Sequence, residues 1–317
     1  MNTISAPAQG LHLSRREFLH HTACLSSVAS LWNAGALLSV AQEKFAPPIV
    51  VFSKVYQMLK LSFEEAAAIT AEAGLAGVDC PVRPGGEVLP ERVLEDLPRY
   101  ADVLRKKNLH LPLLATAITK TSSPHSEDIV RTARKLGAQF YRLGFIDRQR
   151  DVALAQQLLE IKAQLKDLAA LNKQIGIGAL VQNHSPSGRT YLGGDLAELR
   201  ELVEDFDPAQ IGVAFDIGHA IVVHGDQWRA HFEQLKSHLK IAYVKDVKKA
   251  GGWVPFGEGD VGRAGYFTLL KQLGYNAPIS LHLEFDWTDH GKSQNCPTLL
   301  KALQDSARVL RRWLSEA

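Results

Sequence analysis

A regular alternation of short apolar runs and longer helical patterns, from residue 48 onward, constrains this chain more than any other feature. The short runs are rich in β-branched, leucine and aromatic residues, as strands are. Eight strand candidates follow in chain order: PIVVFSKV, GVDCPV, LPLLATAIT, QFYRLGF, IGIGALVQNH, IGVAFDIGH, IAYVKDV and ISLHLEF. Strands that alternate with helices predict a parallel sheet.

The helical segments between these runs carry recognisable end signals. Examples are SFEEAAAITAEAG (62–74), PERVLEDLPRYADVLRKKN (90–108), SEDIVRTARKLG (126–137) and GYFTLLKQLG (265–274). Several begin with Ser or Pro and end on Gly, which are residues that helix caps favour. Eight strand–helix units favour a closed barrel over an open sheet. The predicted fold class is therefore α/β, a single parallel (β/α)8 TIM barrel over residues 42–317.

Residues 1–41 carry a different signal. The pattern S-R-R-x-F-L, formed by Ser14, Arg15, Arg16, Phe18 and Leu19, resembles a twin-arginine export signal. The small residues of Ser39-Val40-Ala41 suit a cleavage site. We therefore expect the twin-arginine export machinery to carry the folded protein to the periplasm. A membrane anchor is the weaker interpretation, because the apolar run contains Ser, Thr and Asn and is shorter than the roughly 20 residues that span a bilayer.

Charge and cysteine content exclude some classes of function. The net charge of +2 gives no reason to expect a nucleic-acid partner. Cys24 lies in the predicted signal, which leaves Cys80 and Cys296, too few for a disulfide framework. We expect two separate buried thiols, with one disulfide as the alternative.

Polar residues collect where the predicted strands end. They are Arg142 after strand 4, Gln182, Asn183 and His184 after strand 5, Asp216 and His219 after strand 6, Lys245 and Asp246 after strand 7, and His282, Glu284 and Asp286 after strand 8. Because the ligand sites of such barrels lie at the C-terminal strand ends, the pattern predicts a polar ligand site. Alternation along a strand predicts three same-face pairs: Gln182 with His184, Tyr243 with Lys245, and His282 with Glu284.

Over roughly residues 48–312 the sequence resembles the xylose-isomerase-like barrels of the sugar phosphate isomerase/epimerase superfamily. The resemblance is carried by AGLAGVDCPVRPGGEVLPERV (73–93), LVQNHSPSG (180–188), GVAFDIGHA (212–220), YVKDV (243–247), VPFGEGDV (254–261) and ISLHLEF (279–285). It implies proton transfer at a carbon next to a carbonyl, assisted in many members by one Mn, Mg, Co or Zn ion. The implied ligands are a glutamate from strand 5, an aspartate from strand 6, a histidine from strand 7 and a glutamate from strand 8. Related barrels often form dimers or tetramers, so a homo-oligomer is implied too.

Two of these four ligand positions match and two differ. Asp216 and Glu284 fit, whereas Gln182 replaces the strand-5 glutamate and Tyr243 the strand-7 histidine. Glutamine has no charge and cannot act as a base, and a phenol with a pKa near 10 is a poor ligand at neutral pH. The resemblance thus predicts a weakened divalent metal site of Asp216, Glu284 and Gln182. In the alternative, Lys245 supplies the positive charge in place of the metal.

The predicted catalytic residues are Glu284 as base, with Lys245 and His184 as candidates for the opposite acid. The predicted substrate-binding residues are Arg83, Arg142, Gln182, Asn183, His219, Asp246 and His282, and Trp253 and Trp287 are expected near the site mouth. The expected function is that of a sugar isomerase or epimerase acting on a small sugar or polyol. The alternatives are a carbon–oxygen lyase on a keto-sugar or glycoside, and a barrel that binds carbohydrate without catalysis.

Overall fold

The computed structural model describes residues 45–288 and 295–317 of the chain. Eight parallel strands form a closed barrel in chain order, with β1 paired to β8, so the predicted fold class is confirmed. The strands are β1 Ile49–Phe52, β2 Gly77–Val82, β3 His110–Thr116, β4 Phe140–Arg142, β5 Gly178–Gln182, β6 Ile211–Asp216, β7 Leu239–Val244 and β8 Ile279–Leu281. Phe45–Ala317 forms one compact unit.

Helices of very different length follow the strands in the described part of the chain. They are α1 Lys54–Met58, α2 Phe63–Glu72, α3 Val93–Arg105, α4 Ser126–Lys135, α5 Leu154–Ile175, α6 Leu196–Val203, α7 Ile217–His224, α8 Trp228–Leu235, α9 Tyr266–Gln272 and α10 Cys296–Ser315. The predicted start of α2 is confirmed: Ser62 Oγ accepts from Glu65 N at 3.2 Å, and Ser62 N donates to Glu65 Oε2 at 2.8 Å.

The apolar residues form two clusters because side chains alternate across each strand. The larger cluster lies between the strands and the helices and contains Ile49 and Val51 of β1. Val50 belongs to a second, smaller cluster, together with Leu113, Leu180, Ala214, Ile241 and Tyr243 from other strands. The barrel interior is therefore packed rather than a pore, as in other barrels of this kind.

Two of the predicted strand runs continue directly into a helix. The run PIVVFSKV ends as a strand at Phe52, and α1 begins at Lys54. The run IGVAFDIGH ends as a strand at Asp216, and Ile217 begins α7. Both runs pass from strand to helix without Gly or Pro between them, so hydrophobicity alone does not reveal the boundary. Asp216 accordingly serves as the N-cap of α7, and its Oδ1 accepts from His219 N at 3.2 Å.

The expectation about the cysteines is only half right. Cys80 and Cys296 are both free; Cys80 is buried, but Cys296 is exposed. Cys296 is the first residue of α10, where Asn295 caps the helix at the surface, so it does not reach the core. The predicted export signal at 1–41 lies outside the described residues. Within 45–288 and 295–317, no helix has the length and apolarity needed to cross a membrane.

Candidate functional site

A small cavity of about 100 Å³ lies at the C-terminal ends of the strands. It brings together seven of the predicted site residues: Arg83, Arg142, Gln182, His184, Lys245, His282 and Glu284. Phe52, Lys54, Phe145 and Tyr243 complete its described lining. The three predicted same-face pairs all face this cavity. Alternation along the strands therefore identified the correct side of each strand.

Lys245 forms the centre of the site. Its Nζ lies 3.1 Å from Asp216 Oδ2 and 2.8 Å from His219 Nε2. Asp216 is fully buried and Lys245 is 3% exposed. The ring of Trp253 covers the ammonium, with 4.9 Å between Nζ and the ring centroid. An ammonium group has three N–H donors, so two are used here and one remains for the cavity that Lys245 lines.

The environment of His219 determines its tautomer and its role. Its Nε2 accepts from the Lys245 ammonium, so its Nδ1 carries the proton and donates to Ser185 Oγ at 2.8 Å. Burial, reinforced by the nearby Lys245 charge, lowers the pKa of His219 well below its ordinary value, so the ring is neutral. Both ring nitrogens are occupied within the protein. The predicted substrate contact of His219 is therefore not supported, and the residue positions Lys245 instead.

Asp216 is equally occupied by protein contacts. Its Oδ2 accepts from Lys245 and from Gln182 Nε2, the latter at 3.1 Å. Burial raises the pKa of Asp216, and the Lys245 ammonium opposes that rise. Gly218 lets the lysine approach, because a Cβ at that position would lie 2.8 Å from Lys245 Cγ. The D-I-G-H spacing is thus explained by Lys245: Asp216 and His219 contact its ammonium group, and Gly218 leaves room for its side chain.

Glu284 is the only carboxylate among the described residues that line the cavity. Its side chain is 23% exposed, and Oε2 lies 3.3 Å from Lys54 Nζ. A carboxylate that is partly exposed and faces a cavity can accept a proton from a ligand. The role of Glu284 as base stays a prediction, with which this position is compatible.

His184 faces the cavity as a neutral imidazole. Its Nδ1 lies 2.7 Å from Ser185 O, so Nδ1 carries the proton and Nε2 keeps a lone pair. Burial, followed by the charge of Lys245, lowers the pKa of His184 to about 4. At neutral pH His184 is thus a hydrogen-bond acceptor, and its predicted role as an acid is not supported.

Two predicted substrate contacts have structural roles instead. The amide of Asn183 bridges β5 to β6: Oδ1 accepts from Asp216 N at 2.7 Å, and Nδ2 donates to Asp216 O at 2.8 Å. Asp246 is 1% exposed, and its carboxylate holds the loop after β7. The expectation that Asn183 and Asp246 contact substrate stays a prediction, and the contacts described for both are with backbone groups. Trp287 lies against a separate apolar pocket with Phe256 and Phe285, away from the polar cavity.

Sequence reasoning missed several residues of the site. Three of them are Phe52, which ends β1, Lys54, which follows it, and Phe145, which follows β4. Their position at the strand ends is a sequence signal that points to them. Asp79 was missed because it lies within the run GVDCPV, where strand pattern alone suggests only packing. It is fully buried, and its Oδ2 accepts from Ser280 Oγ at 2.9 Å. Burial raises the pKa of Asp79 to about 6, although neighbouring arginines lower it.

Besides Glu87 Oε1, three buried polar atoms at this end of the barrel have no hydrogen-bond partner of good geometry within the described residues, although the Tyr243 hydroxyl lies near Asp79 and Arg142. They are Asp79 Oδ1, the Tyr243 hydroxyl and His282 Nε2. Tyr243 and His282 line the cavity. Buried polar atoms in folded proteins nearly always have a partner, so these atoms indicate where a ligand or water completes the site.

The side chains present do not fit the predicted metal site of Asp216, Glu284 and Gln182. In the described ranges no group of three or more His, Cys, Asp and Glu side chains is placed to hold a metal ion. The Lys245 ammonium already occupies Asp216 Oδ2, and a second cation beside it would be repelled. Gln182 presents its amide Nε2, a donor, to the same oxygen. A divalent metal therefore stays a prediction from the resemblance, without support from the donor set.

Comparison with known proteins agrees with the fold. The family profile described as xylose isomerase-like TIM barrel matches residues 67–313. A probable 3-DHS dehydratase, AsbF, from Bacillus anthracis aligns with a TM-score of 0.62 at 16% identity, over 83% of this chain and 98% of that chain. No curated protein matches the sequence.

Two epimerases of known structure are similar in the same way. D-psicose 3-epimerase from Clostridium cellulolyticum H10, solved with D-tagatose, has a TM-score of 0.64 at 13% identity, over 84% of this chain and 99% of that chain. 3-Keto-D-glucoside 4-epimerase, YcjR, from E. coli has a TM-score of 0.62 at 12% identity, over 84% of this chain and 100% of that chain. At such identities the likeness concerns the fold, and neighbours of this fold include epimerases and a dehydratase.

Proposed function

Because the chain belongs to the xylose isomerase-like TIM barrel family, we propose that it is a sugar isomerase- or epimerase-like enzyme. In this proposal it moves a proton at the carbon next to a carbonyl of a small sugar or polyol-derived ligand. The observation that carries the proposal is one carboxylate, Glu284, facing the same cavity as the Lys245 ammonium. A base and a fixed positive charge are the two groups that enolisation needs.

The roles follow from the contacts already described. Glu284 removes the proton, and the third N–H of Lys245 donates to the carbonyl oxygen as negative charge develops there. Asp216 and His219 hold the ammonium in place through the two other N–H groups. The neutral His184 accepts a hydrogen bond from a substrate hydroxyl. No step in this sequence requires a metal ion.

A one-base reaction fits the described residues better than epimerisation does. Epimerisation needs proton acceptors on both faces of the carbon, and the lining residues described offer no second carboxylate. The remaining acceptors are the imidazoles of His184 and His282, and burial lowers the pKa of both. Aldose–ketose isomerisation and elimination of a β-hydroxyl each need a single base. A carbon–oxygen lyase is therefore the second candidate.

Deuterium exchange tests the enolisation step that both candidate reactions share, whichever product forms. The protein is incubated in D2O with a panel of ketoses, aldoses and keto-sugars, and deuterium at carbon is measured by NMR and mass spectrometry. We expect incorporation that falls by about 10²-fold or more in Glu284→Gln. The matched control is Glu95→Gln, an exposed residue of α3 paired with Arg92. Sugar binding without any exchange would overturn the proposal in favour of a barrel that only binds carbohydrate.

We also propose that residues 1–41 direct export, on the support of the twin-arginine pattern alone. Fusion of these residues to a reporter that acts only outside the cytoplasm tests this location. We expect export of the fusion and its loss in Arg15→Lys/Arg16→Lys. Export that continues in the double variant would contradict this route.

A further inference from the structure

Charge is unevenly distributed around the cavity. The half of the barrel formed by β1 to β4 contributes three cations, Lys54, Arg83 and Arg142. The half formed by β5 to β8 contributes the proposed chemical groups, among them His184, Lys245 and Glu284. Lys54 pairs with the base Glu284, so Arg83 and Arg142 are the cations of this half that remain to meet a ligand.

The two arginines are held by aromatic rings rather than by carboxylates. The Arg83 guanidinium lies over the ring of Phe52, 5.8 Å from its centroid, and that of Arg142 lies over Phe145 at 4.6 Å. Stacking covers the face of a guanidinium and leaves the N–H groups along its edge available. An edge of this kind matches the two oxygens of a carboxylate.

Neither arginine forms a close ion pair with a described residue. No carboxylate oxygen of residues 45–288 or 295–317 lies within the 4.0 Å ion-pair distance of either guanidinium. Arg142 is 3% exposed, and its Nη1 donates to the backbone oxygen Leu143 O at 2.5 Å. Arg83 is half-buried and makes no side-chain hydrogen bond among these residues. Burying such charges without a partner is unfavourable, which indicates that a partner comes from outside the chain.

The sum of charges at this end of the barrel gives the sign of that partner. Lys245 is paired with Asp216, and Lys54 with Glu284. Two further buried carboxyls lie nearby without lining the cavity: Asp79, close to both arginines, and Glu87, which accepts from Ser53 Oγ. Among the described residues that line the cavity itself, four are cations and one, Glu284, is an anion, which favours an anionic partner.

We propose that the substrate of this site is a sugar acid, whose carboxylate is bound by Arg83 and Arg142 while its carbonyl lies between Lys245 and Glu284. The position of the carbonyl rests on the proposed function, and the carboxylate adds the class of substrate to that function. The cavity of about 100 Å³ is small, which favours a short acid.

A wider groove of about 590 Å³ also contains arginines, but it suits an anion less well. It is lined by Arg148, Arg150 and Arg189, together with Asp147. Arg148 pairs with Glu198 at 2.9 Å, and Arg189 pairs with Asp147 at 3.1 Å. Two of its three arginines are thus already neutralised, and it serves as the control surface.

Calorimetric titration of matched acids and neutral sugars tests the proposal. The probes are D-glycerate, D-threonate, D-gluconate and D-glucuronate, against glycerol, threitol, glucitol and D-glucose, at constant ionic strength. We expect each acid that binds to do so at least about tenfold more tightly than its neutral counterpart. Arg83→Met and Arg142→Met remove that preference, Arg83→Lys and Arg142→Lys keep part of it, and Arg189→Met keeps all of it. Thermal melts verify that each variant is folded.

Several results would overturn the inference. They are equal affinity for acid and neutral sugar, an acid preference that survives in Arg83→Met/Arg142→Met, loss of the preference in Arg189→Met, and no binding of any acid. Tighter binding of D-glucose 6-phosphate than of D-glucuronate would assign the arginines to a phosphate instead.

Deuterium exchange separates the two proposals for D-glucuronate, the one acid of the panel that has a carbonyl besides its carboxylate. Glucuronate that binds through the arginines without exchanging deuterium keeps the carboxylate site and counts against the enolisation chemistry. A neutral sugar that exchanges, without any preference for acids, does the opposite.

Discussion

At the scale of single residues, the Lys245 ammonium lies among the side chains that the resemblance assigns to a metal. The sequence revealed the reason, because Gln182 and Tyr243 stand where family members have glutamate and histidine. It did not reveal that His219 would turn Nε2 toward the lysine, because the tautomer depends on Ser185, which only the folded loop brings to Nδ1. The residue types at 182 and 243 therefore predicted that two metal ligands are missing. The packing of the folded chain determined that Lys245 contacts Asp216 and His219.

Removal of the Lys245 side chain leaves the fully buried Asp216 carboxylate without its cationic partner. We expect Lys245→Met to lower the free energy of unfolding by about 3 kcal/mol, because an uncompensated buried carboxylate is strongly unfavourable. The double variant Lys245→Met/Asp216→Asn should recover most of that loss. Urea denaturation of the four proteins in the cycle measures it. Equal stability of the single and double variants would show that the pair contributes little.

Asp79 predicts a pH dependence of stability with a definite sign. Its pKa is raised from 3.8 to about 6 on folding, mainly by burial. The protonated carboxyl is favoured in the folded state, so this contribution is complete below pH ~4 and is lost as pH rises through ~6. Relative to Asp79→Asn, the wild type should lose about 3 kcal/mol across that window. Urea denaturation of both proteins at several pH values checks this, and a constant difference would contradict it.

At the scale of elements, one carboxylate organises the loop after β7. Asp246 Oδ2 accepts from Gly257 N at 2.8 Å and Gly259 N at 2.9 Å. Its Oδ1 accepts from Val247 N at 3.0 Å and Val261 N at 3.2 Å. A Cβ on Gly259 would lie 2.2 Å from Asp246 Oδ1, which explains the glycine in this G-E-G segment. The Asp246 carboxylate therefore fixes the loop that places Trp253 over Lys245.

We expect Asp246→Ala to destabilise the protein by on the order of 3 kcal/mol, because four backbone N–H groups lose a charged acceptor. Amide hydrogen exchange across residues 247–261 should become faster, while β7 keeps its protection. The control is Asp226→Ala, which removes an exposed partner of Lys249 in the same loop. Unchanged exchange in 247–261 would show that the loop is held by other contacts.

The strands were predictable because short apolar runs alternate with longer helical segments. Six of the eight candidate runs contain their whole strand, and GVDCPV matches β2 from end to end; β3 begins one residue before its run and β7 two residues before. The ends were less predictable where a strand passes into a helix within one apolar run, as at Ser53 and Asp216. At both places a cap or turn contact ends the strand, and such contacts depend on neighbouring elements rather than on hydrophobicity.

At the scale of the whole molecule, barrel closure converts a linear series of strand ends into a ring with two unlike halves. Most of the cavity residues could be predicted from that rule alone. The sequence did not show that Asn183 and Asp246 lie outside the cavity lining, because a side chain just beyond a strand end can turn toward the cavity or toward a loop. Their hydrogen bonds to backbone groups, visible only in the fold, decide the direction.

The whole protein should be insensitive to chelators. Purified without added metal, it should contain well under one divalent ion per chain, and treatment with EDTA should change neither the melting temperature nor deuterium exchange. The donor set around Lys245 is the physical reason, because its oxygen ligands are already used. Mass spectrometry of bound metals measures the content. Near-stoichiometric metal that disappears in Asp216→Ala and in Glu284→Ala would restore the metal site.

A positive charge that belongs to the polypeptide differs from one that must be acquired. Sites built from nitrogen and oxygen ligands bind copper and zinc more tightly than manganese, so enzymes with exchangeable ions are exposed to replacement by the wrong one. The Lys245 ammonium is synthesised with the chain and is fixed by Asp216 and His219. Under the proposed function, such a centre needs no metal supply or insertion step, and mismetallation would not inactivate it.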